Sequence, residues 1–332
     1  MKKSRKKKAL VTGGAGFIGS HLCEELLQRG WQVSAIDNLS TGYKSNIAPL
    51  LKDTKNFKFY KDSIMNEALM RRLIKGSDVV YHLAAAVGVQ YILKHPIHSI
   101  LTNIEGTEIV LRCVSKYKKK VIIASSSEVY GKYVFLPFKE DDNMILGPTN
   151  ISRWSYANAK AADEFLALAY YKERKTPVVI LRFFNIVGPR QVQFYGMVLP
   201  RFIEQALSGQ PMTVYGDGEQ VRSFTYVKDA VRAIVDLSLE KKAEGQIFNV
   251  GSDEAVTIRH LAHKIKEKTH SASKIYCIPF EKIFDSDFEE PVCRLPDLSK
   301  IKRTINYSAR YSLESIIDNT LAYIRKKKKS SR

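Results

Sequence analysis

The stretch GGAGFIG at Gly13–Gly19 decides the fold, because of what stands on either side of it. Before it, Ala9–Thr12 is a short apolar run of strand type; after it, His21–Gln28 carries helical spacing. In a strand-to-helix turn the three glycines at 13, 16 and 19 have separate uses. The first permits the tight turn, the second lets backbone approach a pyrophosphate, and the third lets helix and strand pack closely. Further on, Asp37 closes a second strand, Gln32–Ile36. A carboxylate there accepts bonds from the adenosine ribose hydroxyls and repels a 2′-phosphate.

The same rhythm continues outward. Phe57–Tyr60, Val79–His82, Val121–Ser125 and Val178–Arg182 are strand candidates, and Glu67–Ile74, Thr102–Tyr117 and Ser155–Lys172 are helical patterns between them. Alternation at this spacing implies an α/β fold: a Rossmann-type, doubly wound parallel sheet with helices on both faces. After about residue 185 the turn signals Gly188-Pro189, Gly209-Gln210-Pro211 and Gly216-Asp217-Gly218 crowd together, and one further core strand is expected at Gln246–Val250. The expected organisation is a basic tail over 1–8, a dinucleotide-binding domain over 9–185 plus 225–250, a smaller C-terminal substrate lobe over 186–224 plus 251–325, and a second basic tail over 326–332. The lobe would lie over the carboxyl edge of the sheet, where ligands bind in such folds.

The chain has 332 residues, 45% of them hydrophobic and 26% charged, which excludes disorder, collagen and a disulfide miniprotein. Its two ends supply six positives each, twelve of the net +19, so the body is only mildly basic. The tails read as solvated charge, the alternative being salt-sensitive contact with nucleic acid or an anionic membrane. No apolar stretch approaches the roughly 18 residues of a membrane span, and a glycine loop follows the basic start where a signal peptide would be apolar. A soluble, cytoplasmic protein is expected. Cys23, Cys113, Cys277 and Cys293 show no metal-site or dithiol spacing and read as reduced thiols, with no metal.

Tyr156 and Lys160 stand at i and i+4, on one helix face. An ammonium beside a phenol favours the phenolate and makes a base for a sugar hydroxyl. Upstream, Ser125-Ser126-Ser127-Glu128 ends the fifth strand, where hydroxyls can orient a substrate hydroxyl and Glu128 can reach the reacting carbon or its substituent. Asp62, after the third strand, is placed to meet an adenine amino group or to serve as a surface turn. His82 reads as a packed strand-end histidine, followed by small residues against which a cofactor can lie.

Together these motifs resemble the extended short-chain dehydrogenase/reductases that act on nucleotide sugars, over about residues 8–325. The carriers are GGAGFIG, Asp37-Asn38, HLAAA at His82–Ala86, SSSEVYG at Ser125–Gly131, YANAK at Tyr156–Lys160, RFFNIVGPR at Arg182–Arg190 and RSFTYVKDA at Arg222–Ala230. The resemblance implies NAD as cofactor, held by Gly13, Gly16, Phe17, Ile18, Gly19, Asp37 and Asn38. Asp62, Ser63, Leu83, Ala84, Ala85 and Asn103 would add contacts, with Tyr156 and Lys160 at the nicotinamide end. It implies that Tyr156 is the base, that Lys160 also holds the nicotinamide ribose, and that Ser126 shares the substrate hydroxyl. Asn185 and Arg222 would bind the diphosphate, and Arg294 would lie near the diphosphate or sugar. Leu199, Pro200 and Tyr215 are candidates for the base pocket, and helices Thr102–Tyr117 and Ser155–Lys172 for a homodimer interface.

Members of this class first oxidise the sugar at C4. A 4-keto sugar with a C6 carboxylate is a β-keto acid and loses carbon dioxide easily; a neutral hexose rotates and is reduced from the other face. Ser126-Ser127-Glu128 resembles the Thr-Ser-Glu triplet of UDP-glucuronate decarboxylases, as do Gly147–Lys160, with Arg153 and Trp154, and Phe288–Leu298, where Arg294 matches a catalytic arginine. The departure is serine at 126, which UDP-sugar 4-epimerases also have. Ser127 stands where hexose 4,6-dehydratases place an aspartate, although GDP-mannose dehydratases share the Thr-Ser-Glu form. The expected activity is therefore UDP-glucuronate decarboxylation to UDP-xylose or its 4-keto precursor. A 4-epimerase, then a dehydratase or a non-catalytic NAD-binding regulator, are the alternatives. With Asp37 facing the 2′-hydroxyl, calorimetry should give far tighter binding of NAD than of NADP; equal affinities would mean that Asp37 is elsewhere.

Overall fold

The computed structural model describes residues 5–192, 197–283, 289, 291 and 293–330. In the first half, β1 (Lys8–Thr12), α1 (Phe17–Gln28), β2 (Gln32–Ile36), α2 (Lys44–Ile47) and β3 (Phe57–Tyr60) are followed by α3 (Glu67–Lys75) and β4 (Val79–His82). Then come α4 (Val89–Lys94), α5 (Pro96–Lys116), β5 (Lys120–Ser126), α6 (Arg153–Arg174) and β6 (Val178–Phe183). The second half holds β7 (Ile186–Val187), α7 (Val198–Leu207), β8 (Met212–Tyr215), β9 (Val221–Ser223), β10 (Thr225–Tyr226), α8 (Val227–Leu239) and β11 (Gln246–Val250). It ends with β12 (Ala255–Thr257), α9 (Ile258–Thr269), β13 (Ile275–Ile278), β14 (Cys293–Arg294), α10 (Ser299–Ile305) and α11 (Leu313–Ser330).

Seven strands form one parallel sheet in the order β11-β6-β5-β4-β1-β2-β3. Side chains alternate between its faces, as the two-residue period of a strand requires. Ala9 and Val11 join one core with Leu22 and Leu26 of α1 and Ile234 of α8, whereas Leu10 joins another with Met70 of α3 and Val110 of α5. Burial on both faces explains why the strands are continuous apolar runs. Strand order reverses between β1 and β4, and the register pairs Thr12 with both Ile36 and His82. The loops after β1, β2 and β4 therefore open side by side.

The remaining strands form small sheets, β12-β9-β14, β13-β8 and β10-β7. Among the described residues, no helix is long and apolar enough to cross a membrane.

Several boundaries move outward from the sequence expectation. α1 starts at Phe17, α5 at Pro96 and α6 at Arg153. Proline at N1 suits the start of α5, because it lacks only an N–H that has no helical partner there, and its polar first turn hides the periodicity. The tails differ more. Lys8 belongs to β1, its N–H donating to Asp78 at 2.9 Å, and Arg5 pairs with Asp78 at 2.6 Å while Lys7 lies 5.3 Å from the Trp31 ring. The N-terminal segment from Arg5 is thus docked, because the edge of the sheet offers it an aspartate and an indole. At the other end, Lys326–Lys329 continue α11, whose Ile316, Ile317, Leu321 and Ile324 are buried, and lysine suits both a helix interior and its C-terminal dipole.

Candidate active site

A cleft of about 520 Å³ runs across the carboxyl edge of the sheet. It is lined by Gly13, Gly16–Gly19, Asp37, Asn38, Asp62, Ser63, Leu83–Ala85, Ser126–Glu128, Tyr156, Lys160, Asn185, Leu199, Tyr215, Arg222 and Arg294. Two candidates stand outside it. Pro200 does not line the cleft, and Asn103, expected to touch the cofactor, is buried behind the wall. There Asn103 accepts from Ala86 N at 2.8 Å and donates to Ala86 O at 3.3 Å. It shapes the loop after β4.

At one end the glycine turn meets that loop. Gly13 has φ +69°, and a Cβ on it would sit 2.9 Å from Ala84 N; a Cβ on Gly19 would sit 2.1 Å from Gly13 O. Neither position accepts a side chain. α1 follows Gly16 with no side-chain cap and no acidic residue in its first turn, leaving an N-terminus suited to phosphate. Asp37 accepts from Ala15 N at 2.9 Å and Leu39 N at 2.7 Å. Burial pushes its carboxyl up, and these N–H groups pull it partly back. Asp62 accepts from Ser63 N at 2.7 Å and Asn66 Nδ2 at 3.0 Å. An uncapped helix end beside a buried carboxylate fits a dinucleotide. Arg190, quoted in a motif but given no role, also lines the cleft and donates to Ser20 Oγ at 3.1 Å on the first turn of α1.

At the centre, β5 ends in a 3₁₀ turn, Ser127–Tyr130, capped by Ser126 Oγ, which accepts from Glu128 N at 3.2 Å. α6 brings Tyr156 and Lys160 alongside, with the Tyr156 phenol and Ser126 on the same cleft wall. Burial holds that phenol above its ordinary range; the Lys160 ammonium pulls it down without cancelling the effect. The expected acidification is therefore present but outweighed. Lys160 itself is paired with Asp163 at 3.0 Å, both side chains being buried.

Glu128 is gripped from two sides. Arg294 forms a fork with both carboxylate oxygens, its Nη2 at 2.9 Å, and Arg153 Nη2 lies 2.7 Å from Oε2. Burial alone would raise the Glu128 carboxyl, yet the two guanidiniums hold it well below the usual range. Arg153 was not among the sequence candidates. Its spacing of three residues from Tyr156 on one helix was the available signal.

At the far end, β9 and β14 pair Arg222 with Arg294 in register. Arg222 donates to Val221 O at 2.8 Å and Pro291 O at 2.7 Å. Asn185, at φ +36°, donates to Ser223 O at 2.9 Å, so one amide hydrogen is already engaged. The Arg201 guanidinium stacks 3.8 Å from the Tyr215 ring centre, a pairing that sequence did not suggest. Phe288 lies outside the described residues.

Residues 10–320 match the family described as GDP-mannose 4,6 dehydratase, and the chain belongs to that family. It is 45% identical over 321 residues to UDP-N-acetyl-alpha-D-glucosaminuronate decarboxylase of Bacillus cytotoxicus, covering 96% of this chain and 98% of that one. It is 34% identical over 309 residues to UDP-glucuronic acid decarboxylase 1 of Arabidopsis thaliana, covering 93% and 68%. The structure of UDP-glucuronic acid 4-epimerase from Bacillus cereus, in complex with UDP-glucuronic acid and NAD, matches at TM-score 0.86 and 33% identity, covering 96% and 99%. The Rossmann-type fold and the epimerase/dehydratase resemblance expected from the motifs are both borne out.

The Glu128 clamp makes a stability prediction. Glu128→Gln removes the anion between two buried cations and should cost about 3 kcal/mol at neutral pH. The folded carboxyl is depressed, so its contribution is complete above the unfolded value of about 4.3 and is lost as pH falls toward the folded one. Denaturant melts should show a wild-type advantage that is full at pH 7 and smaller at pH 3.5; an advantage independent of pH would refute the clamp.

Proposed function

We propose that this chain is an NAD-dependent decarboxylase of a UDP-hexuronate. The observation that carries this is the cluster beside Tyr156: the buried guanidiniums of Arg153 and Arg294 converge on Glu128 in the cleft wall and present a cationic surface where the sugar would lie. A neutral hexose has no use for it, whereas a uronate brings the balancing charge. The two decarboxylase relatives support the same substrate class.

When bound, NAD supplies the hydride acceptor for C4 of the sugar. The residues fitted to hold it are Gly13, the N-terminus of α1 and Asp37, with Lys160 at the reacting end. Tyr156 takes the C4 hydroxyl proton while Ser126 orients that oxygen. The product is a β-keto acid; its C5–C6 bond breaks, carbon dioxide leaves, and the electron pair becomes an enolate with charge on O4. Tyr156, now a phenol, and Ser126 both donate to that oxygen, where charge has just developed. Glu128 stands as a fixed negative charge on the side of the departing carboxylate, and Arg153 and Arg294 limit the repulsion during binding. Asn185 and Arg222 bind the diphosphate, and Tyr215 and Leu199 the base.

UDP-glucuronate is the substrate the motifs imply, and the name of the Bacillus cytotoxicus relative adds its 2-acetamido counterpart. The two differ at C2, away from the reacting carbons. A 4-epimerase of the same uronate is the second reading, favoured by the Bacillus cereus structure.

The protein is further proposed to work in the cytoplasm as a homodimer. Ile97 and Leu101 of α5 and Phe165 of α6 are exposed apolar residues on two helices that pack together. Sedimentation should give a dimer, and Phe165→Glu should shift it to monomer; a monomeric wild type would refute the assignment. For the chemistry, purified protein is incubated separately with UDP-glucuronate, UDP-N-acetylglucosaminuronate and UDP-glucose, and products are read by mass. A uronate should lose carbon dioxide, Tyr156→Phe should abolish the reaction, and Glu128→Gln should bind substrate but turn over slowly. Epimerised uronate with no carbon dioxide would replace the decarboxylase with the epimerase.

A further inference from the structure

Asp163 is a buried carboxylate that the chemistry above does not use. It lies one helical turn beyond Lys160 on α6, its side chain fully shielded and its Oδ2 3.0 Å from Lys160 Nζ. The lysine side chain is 3% exposed. Water therefore contributes little to keeping this ammonium charged, and desolvation is the largest influence on it, acting to remove the proton.

We propose that Asp163 is a positioning residue that keeps Lys160 protonated and fixed beside Tyr156. The inference rests on the reading of Tyr156 and Lys160 as the reacting pair. Facing Lys160 from its own helix are Tyr156, Asp163 and Glu164, and from β4 comes His82. Glu164 is committed to Arg182 of β6 at 2.7 Å and to Ser125 of β5 at 2.5 Å, so it is a poor counter-ion for the lysine. His82 is held between Thr12 Oγ1 at 2.9 Å and Thr107 Oγ1 at 3.2 Å, and burial pushes it down to about 3, so it is neutral at working pH. That leaves Asp163 as the carboxylate paired with Lys160. Its own carboxyl is pushed up by burial and pulled back by the ammonium, which ties the two ionisations together. Without it, a desolvated lysine loses its proton within reach of ordinary pH, and with it the charge that assists the phenol.

The test compares wild type with Asp163→Asn, and with the smaller Asp163→Ser should the amide leave the protein unfolded. Isotope-labelled lysine side chains, with Lys160 assigned through Lys160→Arg, are titrated by NMR, and turnover of the accepted UDP-uronate is followed over the same range. In wild type the Asp163 carboxylate should hold Lys160 as an ammonium against desolvation; in the variant the lysine should lose its proton at distinctly lower pH than in wild type. The variant's kcat should then acquire an alkaline limb, falling roughly tenfold per pH unit, because one essential proton is lost. A merely structural role would lower turnover equally at all pH values. A variant lysine that titrates together with the wild-type one would overturn the proposal. Absence of turnover on every UDP-uronate would instead sink the decarboxylase reading, and the lysine titration would still decide the role of Asp163.

Discussion

The fork between Arg294 and Glu128, shared with Arg153, ties together three segments that are remote in sequence. Glu128 follows the central strand β5, Arg153 opens α6, and Arg294 belongs to a two-residue strand in a small sheet. Remove the carboxylate and two guanidiniums face each other in a half-closed cleft. The position of β14 depends on it in turn, because Arg294 is in register with Arg222 and so carries the far wall of the site with it. Neighbouring contacts brace the same junction: Phe138 N donates to Leu295 O at 2.8 Å, Asp297 N to Phe138 O at 2.7 Å, and Trp154 Nε1 to Glu289 at 3.0 Å.

The inner face of α6 is polar where a helix packed on a sheet is usually apolar. Lys160, Asp163 and Glu164 are all buried. Burying charge costs several kcal/mol per ion unless each is paired, and here each has a partner: Lys160 with Asp163, Glu164 with Arg182, and Ser125 donating to Glu164. Such pairing contributes little net stability, but it fixes geometry, since any slide of α6 along the sheet would leave an ion without its counterpart. The catalytic tyrosine is carried on the helix so fixed.

Much of the fold was legible because local chemistry coincides with global arrangement. The strand, glycine turn and helix around Gly13–Gly19 have no other economical packing, and six further apolar runs fell on strands of the main sheet. What stayed hidden was tertiary. Ala-Ala-Asp-Glu at 161–164 has the composition of an exposed helix face, and nothing local says that α5 will cover it. Asn103 was expected from the family resemblance alone to touch the cofactor, yet it is spent on Ala86. The lysines at 326–329 looked like a tail because charge runs usually are; a buried isoleucine and leucine face upstream carries the helix through them.

The resting state of Tyr156 follows from the same balance. A phenolate in a desolvated cleft would be costly, and Glu128 and Asp163 add negative charge that disfavours it further, so the phenol stays protonated despite Lys160. Tyr156 can act as the base only once that proton has left, and the Lys160 ammonium is the charge that favours its leaving. Ser126 lines the cleft beside the phenol. When charge develops on the substrate oxygen the same two hydroxyl groups are in place to receive it, and the helix that carries one of them is tied to the sheet by the Glu164–Arg182 ion pair, which does not take part. A site arranged in this way avoids the energetic cost of a standing anion and still presents donors where the anion forms.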